Sequence, residues 1–158
     1  MHLLSPSEYQ PIAAQVVEEV AREVTRLIPG CRVEHVGSSA IPGVVSKGDI
    51  DVCVVVPAQQ HQSVVTALEL AGYAVKRDTL RTPELCMLLS PRANVDVALH
   101  VVAEGSRFEF FMRFRDALLA SPTLVKQYNE VKQNACGMSP EEYRNAKSAF
   151  IASVLRTA

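Results

Sequence analysis

The stretch from Val33 to Val56, VEHVGSSAIPGVVSKGDIDVCVVV, constrains this chain more than any other. It opens with a short run that ends in Gly37-Ser38-Ser39 and passes through a connector holding Pro42 and Gly43. It closes on Asp49-Ile50-Asp51-Val52 and the apolar run Cys53 to Val56. Side chains alternate across a strand, so Asp49 and Asp51 are expected on the same side. Two carboxylates held close repel each other and lose hydration. A cation or a bound proton relieves both costs, and hard oxygen donors suit Mg²⁺ or Mn²⁺. Gly37 and Ser38 stand between a strand and the next element, where backbone N–H groups and a hydroxyl can approach a phosphate. The two halves of the stretch together read as a site for a metal-bound phosphate chain.

The surrounding chain supplies a frame for that site. Ser5-Pro6-Ser7-Glu8 has the form of a helix start, with Ser as N-cap and Glu reaching back. Ile12, Val16, Val20, Val24 and Leu27 recur at helical spacing and predict an apolar stripe that ends at Pro29-Gly30. Cys31 to Val36 reads as a first strand. Asp49 to Val56 reads as a second one, whose apolar end suits a central position buried on both faces. Pro42 excludes a strand between them. A helix is expected over His61 to Ala71, and short strands over Tyr73 to Lys76, Leu85 to Leu89 and Val95 to Val102. Ser90 to Asn94 forms a hairpin turn between the last two. Asp96 then falls inside an apolar strand, sharing a face with Ala98 and His100, and an ionised carboxylate there needs a partner. A metal would serve, as would an arginine such as Arg81 or Arg92.

After Gly105 the pattern turns helical. Phe108, Phe111, Met112 and Leu118 form one stripe. Ser121-Pro122 and Ser139-Pro140-Glu141-Glu142 are two further helix starts, and Tyr143, Phe150, Ile151, Val154 and Leu155 carry the last helix. The layout predicts an α/β (α+β) fold in one domain over residues 1–158: a mixed sheet of about five strands, flanked by helices, with a helical C-terminal third.

Composition narrows the function. The net charge of −1 offers no field for a nucleic acid or an anionic membrane, and no basic, aromatic strip suggests a template groove. No apolar run reaches the roughly 20 residues that span a bilayer, and no basic, apolar leader opens the chain, so a cytoplasmic protein is expected. Cys31, Cys53, Cys86 and Cys136 form no CxxC pair and read as reduced core residues.

EHVGSSAIPGVVSKGDIDV, the later LHVV with Gly105-Ser106 and FRDALLASP, and the terminal set Tyr143, Lys147 and Phe150 together resemble the GrpB family. Its signature runs close to EHIGSTAVPGLxxKPxIDI. More widely, Gly-Ser, then Asp-x-Asp twelve residues after Gly37, then a later strand Asp, resembles the nucleotidyltransferase superfamily of the polymerase-beta type. That resemblance implies a nucleotidyltransferase-like fold, with Gly37, Ser38 and Ser39 at the phosphates of a nucleoside triphosphate and Lys47 available to neutralise them. It implies Mg²⁺ (or Mn²⁺) on Asp49, Asp51 and Asp96, with His100 as a same-face alternative for the third ligand. Many GrpB members have Pro-Ile where this chain has Gly48-Asp49, so here both carboxylates of the wider motif are present. The implied activity is transfer of a nucleotidyl group to an unknown small-molecule or protein acceptor. The alternative is a module that binds a nucleotide or cofactor without turning it over. Lys147 interrupts an apolar stripe and either snorkels or reaches a triphosphate. His35 reads as structural, and Arg113 and Arg115 as helix-surface ion pairs with Asp116 or Glu109.

Overall fold

A computed structural model of the chain describes residues 1–157. Helix α1 (Pro6–Leu27) begins at Ser5, whose backbone N–H donates to the Glu8 carboxylate. Tyr9, Ala13, Val16, Val20 and Val24 form its buried stripe. Ile12, expected in that stripe, is instead 60% exposed. In the first turns of α1, Tyr9 and Ala13 make the inward contacts, with the Tyr9 hydroxyl donating to Val44 O at 2.7 Å, and Ile12 faces outward.

Among the described residues, five strands form one mixed sheet: β1 (Arg32–Val36), β2 (Ile50–Val56), β3 (Ala74–Val75), β4 (Leu85–Leu89) and β5 (Val97–Ala103). Their order is β1-β2-β5-β4-β3; β2 and β5 run parallel and every other neighbouring pair is antiparallel. The central pair is the β-branched, almost uninterrupted apolar one, as burial on both faces requires. Helix α2 (His61–Leu70) carries the chain away from β2 before β3 and β4 lead back to β5.

The period of two divides the sheet's side chains. Ile50, Val52, Val54 and Val56 of β2, with Val97, Leu99 and Val101 of β5, pack under α1 and α2. Each such side chain stabilises the fold by about 1.5–3 kcal/mol when fully buried. On the other face Cys53, Val55, Leu85 and Val102 pack against Phe108 and Met112, at the start of α3 (Phe110–Leu119). Helices α4 (Pro122–Ala135) and α5 (Pro140–Thr157) complete the helical third. Ser121 and Ser139 cap them as their sequences predict; Ser139 Oγ accepts from Glu142 N at 3.2 Å, and Glu142 reaches back to Ser139 N at 3.1 Å. Phe114, Leu118, Tyr128 and Val154 form a separate cluster here with Ile41 and Val44 of the connector. The apolar stripe read along Phe108–Leu118 is therefore shared between two clusters, sheet and helices.

Two expectations change. Strand β5 starts at Val97 rather than Val95, because Ser90 N closes the hairpin on Val97 O at 2.9 Å and leaves the residues between them as loop. Asp96 accordingly sits exposed just before the strand, and no core desolvation has to be compensated. Arg92 pairs with Glu19 at 3.0 Å instead of with Asp96. All four cysteines are free, Cys53 and Cys86 in the core. No helix among the described residues is long and apolar enough to cross a membrane.

Candidate functional site

Asp51 is the second residue of β2 and faces the side of the sheet that α3 covers. Its antiparallel partner is Val36, so Gly37 passes directly beside its carboxylate. Gly37 has φ +74°, and a Cβ built there would lie 2.6 Å from Asp51 Oδ2. Only glycine permits both the left-handed backbone and the close approach. On the parallel side Asp51 pairs with Ala98, and His100 stands two residues further along β5. His100 Nε2 donates to Asp51 Oδ1 at 2.9 Å, while its ring packs 4.6 Å from Phe111. Burial pushes the Asp51 carboxyl upward. The hydrogen bond and charge of His100, with the charges of Lys147 and His35, outweigh burial and hold it below its ordinary value.

Asp49 lies just before β2. Ser46 Oγ donates to its Oδ1 at 3.4 Å and accepts from Gly48 N at 3.0 Å. Ser46 is itself anchored by backbone bonds to Leu4. Ile50 N donates to Asp96 O at 2.8 Å, which brings the starts of β2 and β5 together. Asp49, Asp51 and Asp96 all line one cavity of about 870 Å³ there, with Lys47 and Gly48. Among the described residues, however, no three of His, Cys, Asp and Glu are gathered closely enough to hold a metal ion. The expected three-carboxylate set shares a cavity without forming a finished cage. One Asp51 oxygen is taken by His100, and Asp96 sits at the end of an exposed loop.

The Gly-Ser turn is held from behind. Ser38 Oγ accepts from Lys132 Nζ, and Ser38 O accepts from the Tyr9 hydroxyl at 3.2 Å. Ser39 Oγ is hydrogen-bonded to His35 Nε2 at 2.7 Å. Burial pushes the His35 pKa down, partly offset by Asp51. Gly37, Ser38 and Ser39 do not line the cavity that holds the carboxylates.

Sequence reasoning missed the residues that brace this loop. Lys132, only 2% exposed, also donates to Val45 O at 2.6 Å and lies 4.8 Å from the Tyr128 ring centre. Burial, reinforced by Lys147, lowers its pKa to about 7 against the opposing pull of Asp49 and Asp51. Asn129 takes Val45 N on its Oδ1 at 2.9 Å and gives its amide to Gly43 O at 2.8 Å. The only signal in the sequence was a lysine three residues from an asparagine on one helix, which solvent-facing positions show equally often. Lys147 is half-buried with its Nζ 5.4 Å from the Tyr143 ring centre. Burial lowers its pKa, and Asp49 and Asp51 pull the other way. Arg115 does pair with Asp116 at 2.9 Å, but also reaches Glu34 and His35 O, each at 2.9 Å, tying α3 to β1.

Comparison with known proteins agrees with this architecture. The chain is 46% identical over 155 residues to a UPF0157 protein of Vibrio cholerae, covering 98% of this chain and 82% of that one. It is 29% identical over 132 residues to the glutamate-rich protein GrpB of Alkalihalophilus pseudofirmus, covering 78% and 76%. The crystal structure of the conserved protein GrpB from Enterococcus faecalis superposes with a TM-score of 0.80 at 23% identity, over 99% of this chain and 96% of that one. The Cid1 poly(U) polymerase with MgGTP bound aligns at a TM-score of 0.46 and 16% identity, over 77% of this chain and 42% of that one, a likeness too slight to weigh. The family described as GrpB protein matches residues 6–157, and the chain belongs to the GrpB family.

Proposed function

We propose that this protein is a metal-dependent nucleotidyltransferase acting on a nucleoside triphosphate and a hydroxyl-bearing acceptor. The observation that carries the reading is the close packing of Gly37 on Asp51, which sets a Gly-Ser turn against a carboxylate held ionised beside a cavity.

The residues present fit a divalent cation in kind. Asp49, Asp51 and Asp96 offer hard oxygen donors to a single cavity, and Asp96 has no ion-pair partner among the described residues. Mg²⁺ or Mn²⁺ held there would supply charge neutralisation for the triphosphate and acidify the attacking hydroxyl. The chain's own groups do the rest. The N–H groups and hydroxyls of Gly37, Ser38 and Ser39 would orient the phosphates, with Lys47 at the rim. The acceptor oxygen bonds to the α-phosphorus as the α–β P–O bond breaks. Pyrophosphate leaves, and the hydroxyl proton passes to a base, the role Asp96 takes where Asp49 and Asp51 alone hold the ion.

A second reading is supported by the hydrogen bond from His100, which engages Asp51 without a third carboxylate in place. It makes the chain a module that binds a nucleotide or cofactor without turnover. One experiment tests both: thermal unfolding of wild type and Asp51→Asn with each nucleoside triphosphate, with and without Mg²⁺ or Mn²⁺, followed by a pyrophosphate assay. A ligand at 100 times its Kd should stabilise the wild type by about 2.7 kcal/mol and Asp51→Asn by much less. Binding with pyrophosphate release supports the transferase, and binding without release across an acceptor screen supports the module. No metal-dependent shift overturns the transferase, and no shift with any nucleotide, with or without metal, overturns nucleotide binding by the module.

A further inference from the structure

We propose that the cavity at the end of the sheet beside Asp51 is a binding subsite for a small amine-bearing alcohol with an apolar body. Calling that molecule the acceptor rests on the transferase reading above; its binding does not.

Register places Asp51, Ala98 and Leu89 side by side on neighbouring strands, and pairs His100 with Met87 in the next row. All five side chains share one face of the sheet. From the His100 row onward α3 and the residues before it cover that face, with Phe111 on His100 and Phe108 and Met112 beyond. The first row is only partly covered: Ala98 is buried, while Asp51 and Leu89 keep exposed edges. Leu89 remains 40% exposed and lines the cavity with Ala98 and Met87, and across the cavity Ile12 is 60% exposed. From Asp51 to Leu89 is two strand spacings, about 10 Å. A ring carrying a three-carbon chain spans that length, with its ring against Leu89 and its hydroxyl beside the carboxylates.

Two further features select the occupant. The Gly37–Ser39 turn does not line this cavity, so phosphates held on the turn would leave the space open to a second molecule. In the metal-free protein the lining charges are Glu8, Asp49, Asp51 and Asp96 against Lys47 and Lys76, with Asp51 already paired with His100 and Lys76 with Asp78. The remaining field is negative. It favours an ammonium group and disfavours a carboxylate or phosphate on the apolar body.

The test uses methyl NMR on the full chain without metal or nucleotide, and three probes of one shape: phenylalaninol (cation), 3-phenylpropan-1-ol (neutral) and 3-phenyllactate (anion). Phenylalaninol should shift the methyls of Leu89, Met87 and Ile12. Leu89→Ser and Ile12→Ser, both at exposed positions that the fold tolerates, should each weaken it several-fold. Glu8→Gln, which keeps a helix-capping side chain, should weaken phenylalaninol about two- to fourfold and leave phenylpropanol unchanged. Failure of phenylalaninol to shift these methyls, or tighter binding of phenyllactate, overturns the subsite. Because no nucleotide is in the tube, that failure is separate from a failure of the transferase reading, which the thermal-shift series reports.

Discussion

Gly37 and Asp51 exclude any side chain between them: a Cβ on Gly37 would meet Asp51 Oδ2 at 2.6 Å. Gly30 also has a positive φ, +83°, with nothing within 4 Å of the same position. The pair separates backbone strain from contact. Gly30→Ala should cost about 1–2 kcal/mol in urea unfolding, from the left-handed conformation alone. Gly37→Ala should cost more, by roughly another 1–3 kcal/mol, because the carboxylate must also move. Equal losses in the two variants would mean that the contact with Asp51 is easily relieved.

Asp51 links stability to acid. Its folded pKa lies below the ordinary carboxylate value of about 3.9, so the unfolded chain takes up the proton first as pH falls. The stabilisation is complete above that value and is lost as pH drops through the folded pKa. Urea midpoints from pH 6 to 3 should fall more steeply for wild type than for Asp51→Asn. Parallel curves would show that Asp51 is not held ionised by His100 and its neighbours.

Lys132 has the opposite dependence. Its folded pKa of about 7 lies well below the unfolded value of about 10.4. Between those values the unfolded chain binds more protons, so wild-type stability gains with rising pH; below pH 7 the group contributes no slope. Lys132→Met should remove this rise, making the difference between variant and wild type grow from pH 7 to 9. A constant difference would place the Lys132 pKa near its ordinary value.

Asn129 carries two bonds to the connector between the Gly-Ser turn and Asp49. Asn129→Ala leaves the Val45 N–H and Gly43 carbonyl without these partners. A loss of about 1–3 kcal/mol is expected, with faster amide exchange at Val45. Exchange at Val45 unchanged from wild type would show that water or another group takes over the bond.

Much of this architecture is written locally. Ser121 and Ser139 start their helices because a hydroxyl satisfies N–H groups within three residues of it, and the alternating apolar runs of β2 and β5 bury themselves wherever the sheet forms. Asp49 and Asp51 are legible for the same reason, as is the glycine at position 37, since their spacing and neighbours lie within one strand and one turn. The misplacement of Asp96 shows where local reading fails. VDVALHVV reads as one apolar strand interrupted only by Asp96 and His100, yet the strand begins at Val97, because the closing bond from Ser90 is a matter of pairing rather than of propensity. Ile12 fails likewise: helical spacing places it in the stripe, but Tyr9 and Ala13 take the inward positions of those turns and Ile12 is left exposed.

The sequence by itself determined the elements, the family resemblance and the type of donor that each motif offers. Tertiary structure alone decided that His100 engages Asp51, that Lys132 and Asn129 hold the Gly-Ser loop from α4, and that Arg115 joins α3 to Glu34. These partners lie roughly 50 to 95 residues apart in the chain. No propensity or spacing reaches that far. They meet because the parallel pairing of β2 with β5, and the packing of the last helices on the connector, bring distant segments into contact only after both have folded.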